Sequence, residues 1–253
     1  MVDFLMYGSD ARQKELARLL QDEYTVQTAA AGADKAAAVV LPIPSAWPDG
    51  MLRGASWDAL EPQLRAGVTV YGGAFGALRE AIEQTGARCV DLLADETAAA
   101  ENARLTAEAA LVLVMEHTKQ SLFGARCCVI GFGRIGTALS KLLAAFGAEV
   151  TVLSSKQAKR ALAAALGYAA ARPEQLAAQT PRFVFNTAPA QLVPGLALAA
   201  LAPDTLWIEL ASAPGGLPAG AKLPFSRLPA GSLPARLLPV SAAEVLFHAI
   251  KRS

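Results

Sequence analysis

Short apolar runs alternate along the chain with segments of helical periodicity. That alternation is the mark of a parallel sheet covered by helices on both faces. Strands are expected at residues 3–7, 24–27, 37–41, 68–71 and 88–90, with a helix after Arg12 on which Leu16, Leu19 and Leu20 fall at core spacing. The proline-rich stretch 42–48 reads as loop, since each ring removes a donor and restricts the residue before it. A second run of alternation opens at Arg126, with strands at 127–130, 149–153, 182–185 and 205–208. Two sheets follow from this, and one long helix at 102–119 joins them, with Thr106 capping its first turn and Glu108 favoured there by the helix dipole. Residues 239–244 carry a capping-box pattern, Ser241 to Glu244, opening a last helix with Val245, Leu246 and Ile250 on its apolar side. The Pro/Gly-rich region 213–239 is read as weakly structured.

Composition narrows the partners. The 253 residues are 53% hydrophobic and 18% charged, which excludes disorder. Twenty-three basic residues against 22 acidic ones leave a net charge of +1, so nucleic acid and a polybasic membrane anchor are not expected. Apolar runs such as 109–115 and 161–166 are far shorter than the ~20 residues of a bilayer span. The opening residues lack a basic segment and a cleavage site, so no export signal is expected. Cys89, Cys127 and Cys128 form no Cys-x-x-Cys pair and read as reduced core thiols, which points to the cytoplasm. No metal-ligand spacing is present, and no metal is expected.

Gly131, Phe132, Gly133, Arg134, Ile135 and Gly136 directly follow one strand and precede a helix carrying Leu139, Leu142, Leu143 and Phe146. In that context the first glycine allows the tight turn, the second lets backbone amides approach a diphosphate, and the third lets helix pack on strand. A nicotinamide dinucleotide is the expected cofactor. The next strand ends in Ser154, Ser155 and Lys156, with Lys159 and Arg160 following, where NAD enzymes carry an acid for the ribose hydroxyls. Hydroxyls and cations there favour the 2′-phosphate of NADP, with NAD as the alternative and with helix capping by either serine as the plain reading. Asn186 and Thr187 close the following strand, and Ala211 and Ser212 lie on the loop after the next. Both places fall where a Rossmann sheet meets its ligand, although Asn-Thr before a proline is also ordinary turn chemistry.

The first strand runs into Gly8, Ser9, Asp10, Ala11, Arg12 and Gln13. A helix N-terminus with a guanidinium can bind a carboxylate, and equally Asp10 can be a cap and Arg12 a surface residue. Gly8 through Gln13, Thr106-Ala107-Glu108, Glu116-His117-Thr118, the 131–136 bend, Asn186-Thr187 and residues 210–216 together, and in this order, resemble the A subunit of dipicolinate synthase. The chain departs from that pattern at Leu105, Ala109 and Ala213, which stand for proline, glycine and lysine.

The resemblance implies an α/β fold of two doubly wound parallel-sheet domains. Residues 1–101 would form a flavodoxin-like substrate domain, completed by a C-terminal helix 240–253. Residues 102–119 would link it to a Rossmann NADP-binding domain at 120–239. The implied activity is oxidation of dihydrodipicolinate to pyridine-2,6-dicarboxylate by hydride transfer to NADP, in the mother cell of a sporulating bacterium. A flavoprotein-like B subunit is the implied partner, and a homo-oligomer is expected. Gly8, Ser9, Asp10, Arg12 and Thr106 would bind the small dicarboxylate, and Arg12, Thr106 and Glu108 would form the catalytic set. His117, nine positions beyond Glu108, falls out of phase with it on the helix and stays outside the set. The alternatives are an NAD(P)-dependent hydroxy- or keto-acid dehydrogenase and a non-catalytic nucleotide-binding scaffold subunit.

Overall fold

The computed structural model describes residues 2–29, 35–47 and 49–253, so Pro48 of the expected proline-rich loop lies outside the described residues. The chain divides into two units, Met1–Asn102 with Pro234–Ser253, and Ala103–Leu233. Each has its own parallel sheet.

The first unit contains β1 (Val2–Met6), α1 (Ala11–Gln21), β2 (Val26–Thr28), β3 (Ala36–Val40), α2 (Trp57–Leu60), β4 (Thr69–Gly72), α3 (Leu78–Gln84) and β5 (Arg88–Asp91). Its strands lie in the order β2-β1-β3-β4-β5, all parallel. This is the flavodoxin-like order, whose topological switch lies between β1 and β3. Leu5, Val39 and Val70 are completely buried at its centre, which is why these strands read as continuous apolar runs.

The long helix α4 (Glu96–His117) starts six residues before the expected boundary, and the division between units falls within it. Asp95 precedes it and accepts a bond from the Ala98 amide at 2.7 Å. Thr106 and Glu108 therefore sit in its third and fourth turns. The capping role given to Thr106, and the first-turn placement of Glu108, are both corrected, because a continuous alanine-rich segment, 98–100, already carries the helix upstream of them.

The second unit continues with β6 (Arg126–Ile130), α5 (Arg134–Ala145), β7 (Glu149–Leu153), α6 (Gln157–Ala165), β8 (Ala169–Ala171), β9 (Phe183–Asn186), α7 (Gly195–Ala199), β10 (Leu206–Glu209) and β11 (Ser226–Pro229). Its order, β11-β10-β9-β6-β7-β8, is the Rossmann arrangement with the switch between β6 and β9. Two of these strands have no sequence signature. β8 is three alanines, and β11 is a mostly exposed edge strand inside the region read as weakly structured. The core between this sheet and its helices is built on Trp207, Val184, Leu153 and Cys128, with Phe225 stacked on Trp207.

The last elements are α8 (Leu233–Leu237) and α9 (Pro239–Arg252). The capping box expected at Ser241 and Glu244 does not form. Pro239 occupies the first turn and the Leu238 carbonyl accepts the Ala242 amide at 2.9 Å, so Ser241 is already inside the helix. α9 buries Val245, Leu246 and Ile250 and packs along α1. Among the described residues no helix is long and apolar enough to cross a membrane.

Candidate functional site

At the carboxyl end of β6 the chain turns through three glycines whose surroundings differ. Gly131 has φ +92°, and a Cβ there would meet Thr187 Oγ1 at 2.7 Å. Gly136 lies in the first turn of α5, where a Cβ would stand 2.2 Å from the Gly131 carbonyl oxygen. Gly133 is the residue before α5, and a Cβ built on it meets nothing within 4 Å. The first and third glycines thus fit the bend to itself, while the second faces open space. α5 has no side-chain cap, so its first-turn amides stand where an anion would complete them. A dinucleotide's diphosphate fits this cradle.

The other residues of the bend divide by exposure. Phe132 is buried against Val152, Ala163 and Tyr168, so its side chain belongs to the core and only its backbone can serve a ligand. Ile135 is half-buried, and Arg134 is exposed.

After β7, Ser154 is buried and its hydroxyl accepts the Lys156 amide at 3.3 Å, while Ser155 and Lys156 are exposed. Neither serine caps α6; the preceding residue is Lys156, with no side-chain cap. Arg160 is half-buried, its Nη1 donating to the carbonyls of Ser154 at 2.7 Å and Ser155 at 2.9 Å. Its helical position suits a solvated face equally well. The structure instead gives it the task of holding the turn that follows β7.

Asn186 and Thr187 lie beside the glycine bend, but their polar groups face inward. Thr187 Oγ1 donates to the Ile130 carbonyl at 2.9 Å. Asn186 is completely buried, its amide nitrogen donating to the Ala188 carbonyl at 3.0 Å and to Glu209 Oε1 at 2.5 Å. Both side chains are thereby engaged in bracing the loops beside the bend. Glu209, absent from the residues expected at the site, is the centre of that bracing. It is 5% exposed and also accepts the Trp207 indole N–H and the Gly216 amide, each at 3.1 Å. A carboxylate ending an otherwise apolar parallel strand was the available signal. It fixes the 210–216 loop, on which Ala211 is half-buried and Ser212 exposed.

In the first unit, Asp10 caps α1 by accepting the Gln13 amide at 2.9 Å, and Ser9 is exposed. Arg12 is not a surface residue. It is 5% exposed, donates from Nη2 to the Ile43 carbonyl at 2.7 Å, and leaves Nε buried without a partner. Burial pushes its pKa down, Asp10 opposes this, and Arg53 adds to it. Gly8 takes φ +89°, where a Cβ would meet Pro42 Cγ at 2.7 Å, which draws the β1 loop close to the segment after β3.

In α4, Thr106 is buried and Glu108 pairs with Arg104 one turn earlier, half-exposed. His117 Nδ1 bonds the Leu113 carbonyl at 2.8 Å. Cys89, Cys127 and Cys128 are free and buried. No cluster of ligands suited to a metal ion is found among the described residues.

Residues 93–194 match the family described as D-isomer specific 2-hydroxyacid dehydrogenase, NAD binding domain. The A subunit of dipicolinate synthase from Bacillus subtilis (strain 168) is 27% identical over 188 residues, 72% of this chain and 63% of that protein. The chain thus matches a little under two thirds of the length of this relative. The crystal structure of the A subunit of dipicolinate synthase from Bacillus halodurans superposes with a TM-score of 0.86 at 24% identity, covering 99% of this chain and 96% of that one. This chain is similar to the A subunit of dipicolinate synthase. The same subunit from B. subtilis has the same fold, with a TM-score of 0.81 at 23% identity over 99% of this chain and 95% of that one. The two parallel-sheet units are those of the dipicolinate synthase structures, and the matched family, named for NAD binding, spans the 131–136 bend.

Proposed function

We propose that the chain is an oxidoreductase subunit that oxidises dihydrodipicolinate to pyridine-2,6-dicarboxylate, with NADP preferred over NAD. The observation that carries this reading is the bend at residues 131–136, with its open Gly133 and uncapped α5, on a sheet of Rossmann order. The similarity to dipicolinate synthase supplies the substrate. When bound, the dinucleotide supplies the acceptor for one hydride.

Loss of that hydride and one proton leaves the ring aromatic, so the driving force resides in the substrate and the protein's work is alignment. The amides of the bend and of the first turn of α5 would hold the diphosphate. Ser155 and Lys156 would meet the ribose 2′-phosphate, with Ser154 and Arg160 shaping the turn beneath them. Glu209 and Asn186 would keep the 210–216 loop in the form that borders the nicotinamide. Arg12, beside Gly8 and Ser9 at the carboxyl edge of the first sheet, would bind a substrate carboxylate. A flavoprotein-like second subunit would be the partner.

The deciding experiment supplies purified chain with enzymatically generated dihydrodipicolinate and NADP, with and without such a partner, and follows pyridine-2,6-dicarboxylate. Product is expected, with NADP binding more tightly than NAD in separate titrations. No product under either condition would sink the reading, and tighter NAD binding would remove the NADP preference. Because the dinucleotide unit matches a 2-hydroxyacid dehydrogenase domain, D-2-hydroxy acids form the control arm. Their turnover in place of the dihydropyridine would establish that second reading.

A further inference from the structure

Nothing in the sequence connects Arg53 with Arg12, forty-one positions earlier, yet the fold of the first unit brings their segments together. After β3 the chain does not enter a helix directly. Its described part runs through residues 41–47 and 49–56 before α2. Ser45 ties this segment to the end of β4. It is completely buried, its amide donates to the Gly73 carbonyl at 2.7 Å, its hydroxyl donates to the Pro42 carbonyl at 2.8 Å, and that hydroxyl accepts the Gly73 amide at 3.0 Å. The Arg53 amide then donates to the Ser45 carbonyl at 2.8 Å, which returns the segment toward β1. Gly54 takes φ +77° and lies so close to the β1 loop that a Cβ on it would stand 3.2 Å from Gly8 Cα. Arg53 is thereby placed at the topological switch between β1 and β3, where doubly wound sheets bind ligands.

The charges at this point do not balance. Arg12 holds one carbonyl with Nη2, and its buried Nε has no acceptor. Arg53 is half-buried, with its guanidinium 4.8 Å from the centroid of the Trp47 ring, a contact that positions it but does not neutralise it. Among the described residues neither arginine makes an ion pair. The carboxylate whose field reaches Arg12 is Asp10, already engaged in capping α1. Two guanidiniums held near each other, one of them deeply buried and with an unclaimed donor, raise the free energy of the empty protein. An anion that accepts from both lowers it.

We propose that Arg53 is a second substrate-binding cation, which together with Arg12 receives one carboxylate of a small aromatic acid at the topological switch between β1 and β3. Trp47 is the positioning residue that holds the Arg53 guanidinium. The inference rests on the substrate reading given above for the first unit, and it adds the residue that supplies the second half of the clamp. A guanidinium suits this task better than an ammonium, because its planar fork meets both oxygens of a carboxylate.

The test uses the full chain, with and without NADPH, and titrates pyridine-2,6-dicarboxylate and pyridine-2-carboxylate by calorimetry into the wild type, Arg53→Met and Arg53→Lys. Arg53→Met is expected to weaken both ligands by at least about tenfold, as for loss of a hydrogen-bonded charge, with NADPH affinity unchanged and the melting temperature of the empty protein not lowered. Arg53→Lys is expected to recover part of the loss. The Arg12 Nε–H signal of 15N-labelled protein is expected to shift on ligand addition. Equal affinity in wild type and Arg53→Met overturns the proposal, as does a wild type that binds neither acid. Loss of binding in Arg53→Met, in a chain that does not oxidise dihydrodipicolinate, upholds the clamp and discards the oxidation reading, so the two fail separately.

Discussion

A methyl group would have opposite consequences at Gly133 and Gly136, three residues apart. At Gly136 it would fall 2.2 Å from a backbone oxygen that cannot retreat without opening the β6–α5 junction. Gly136→Ala is expected to lose about 2–4 kcal/mol of stability, read as a lower denaturation midpoint at unchanged slope. At Gly133 the backbone is extended, with φ −92°, and the methyl meets nothing, so Gly133→Ala should melt like the wild type. It should nevertheless bind dinucleotide about tenfold or more weakly, because the methyl occupies the space a diphosphate needs. Equal dinucleotide affinity in Gly133→Ala and wild type would mean the cradle faces no ligand. Gly131 and Gly136 are legible in the sequence because only glycine satisfies the positive φ of the one and the close backbone approach of the other, a demand independent of the rest of the chain. Arg12, at the start of α1, and Asn186, at the end of β9, are legible as polar residues at the right element ends but not in their orientation. Burial and inward hydrogen bonds are set by residues far away in sequence: Ile43 for the one, Glu209 for the other.

Among the elements, strands declare themselves where both faces are covered, since burial on two sides demands uninterrupted apolar residues. β8 and β11 escape because one is alanine throughout and the other lies exposed at a sheet edge. α4 is recognisable with the wrong start, since Thr106 and Glu108 imitate a cap while the true one is Asp95. α9 depends on ties at its last turn. Arg252 pairs with Asp95, Lys251 with Glu23 and Tyr24, and Ser253 Oγ with Tyr71.

The bonds from Arg252 and from the Ala98 amide hold the Asp95 pKa below its ordinary value. The stabilisation they give is present above that ordinary value and is lost as pH falls through the folded one. Glu23 and Tyr24 raise the Lys251 pKa, so that contribution is present below the ordinary lysine value and is lost as pH rises through the raised one. Amide hydrogen exchange in the last turn of α9 is therefore expected to quicken, after correction for intrinsic rates, at both extremes of pH. Arg252→Gln should flatten the acid branch and leave the alkaline one.

For the molecule as a whole, the three cysteines are reporters set in separate cores. Burial pushes the Cys89 thiol up to about 11 in the first unit, and the Cys127 and Cys128 thiols up to about 12 in the second. A buried protonated thiol is unreactive, so labelling reports opening of the unit that holds it. Dinucleotide at about 100 times its Kd should slow labelling of Cys127 and Cys128 by roughly a hundredfold and leave Cys89 little changed, as followed by mass spectrometry. Pyridine-2,6-dicarboxylate should act in the opposite sense, protecting Cys89. Protection of all three by either ligand alone would mean that the two units open as a single cooperative body.

The return of α9 to α1 fixes an order of assembly on the ribosome. The β6–β11 sheet belongs to one uninterrupted stretch of the nascent chain and can close as soon as that stretch has emerged. The apolar flank of α1, although made first, stays bare until residues 239–252 are also out of the exit tunnel. α1 thus waits for a helix that is translated only after the whole of the second sheet.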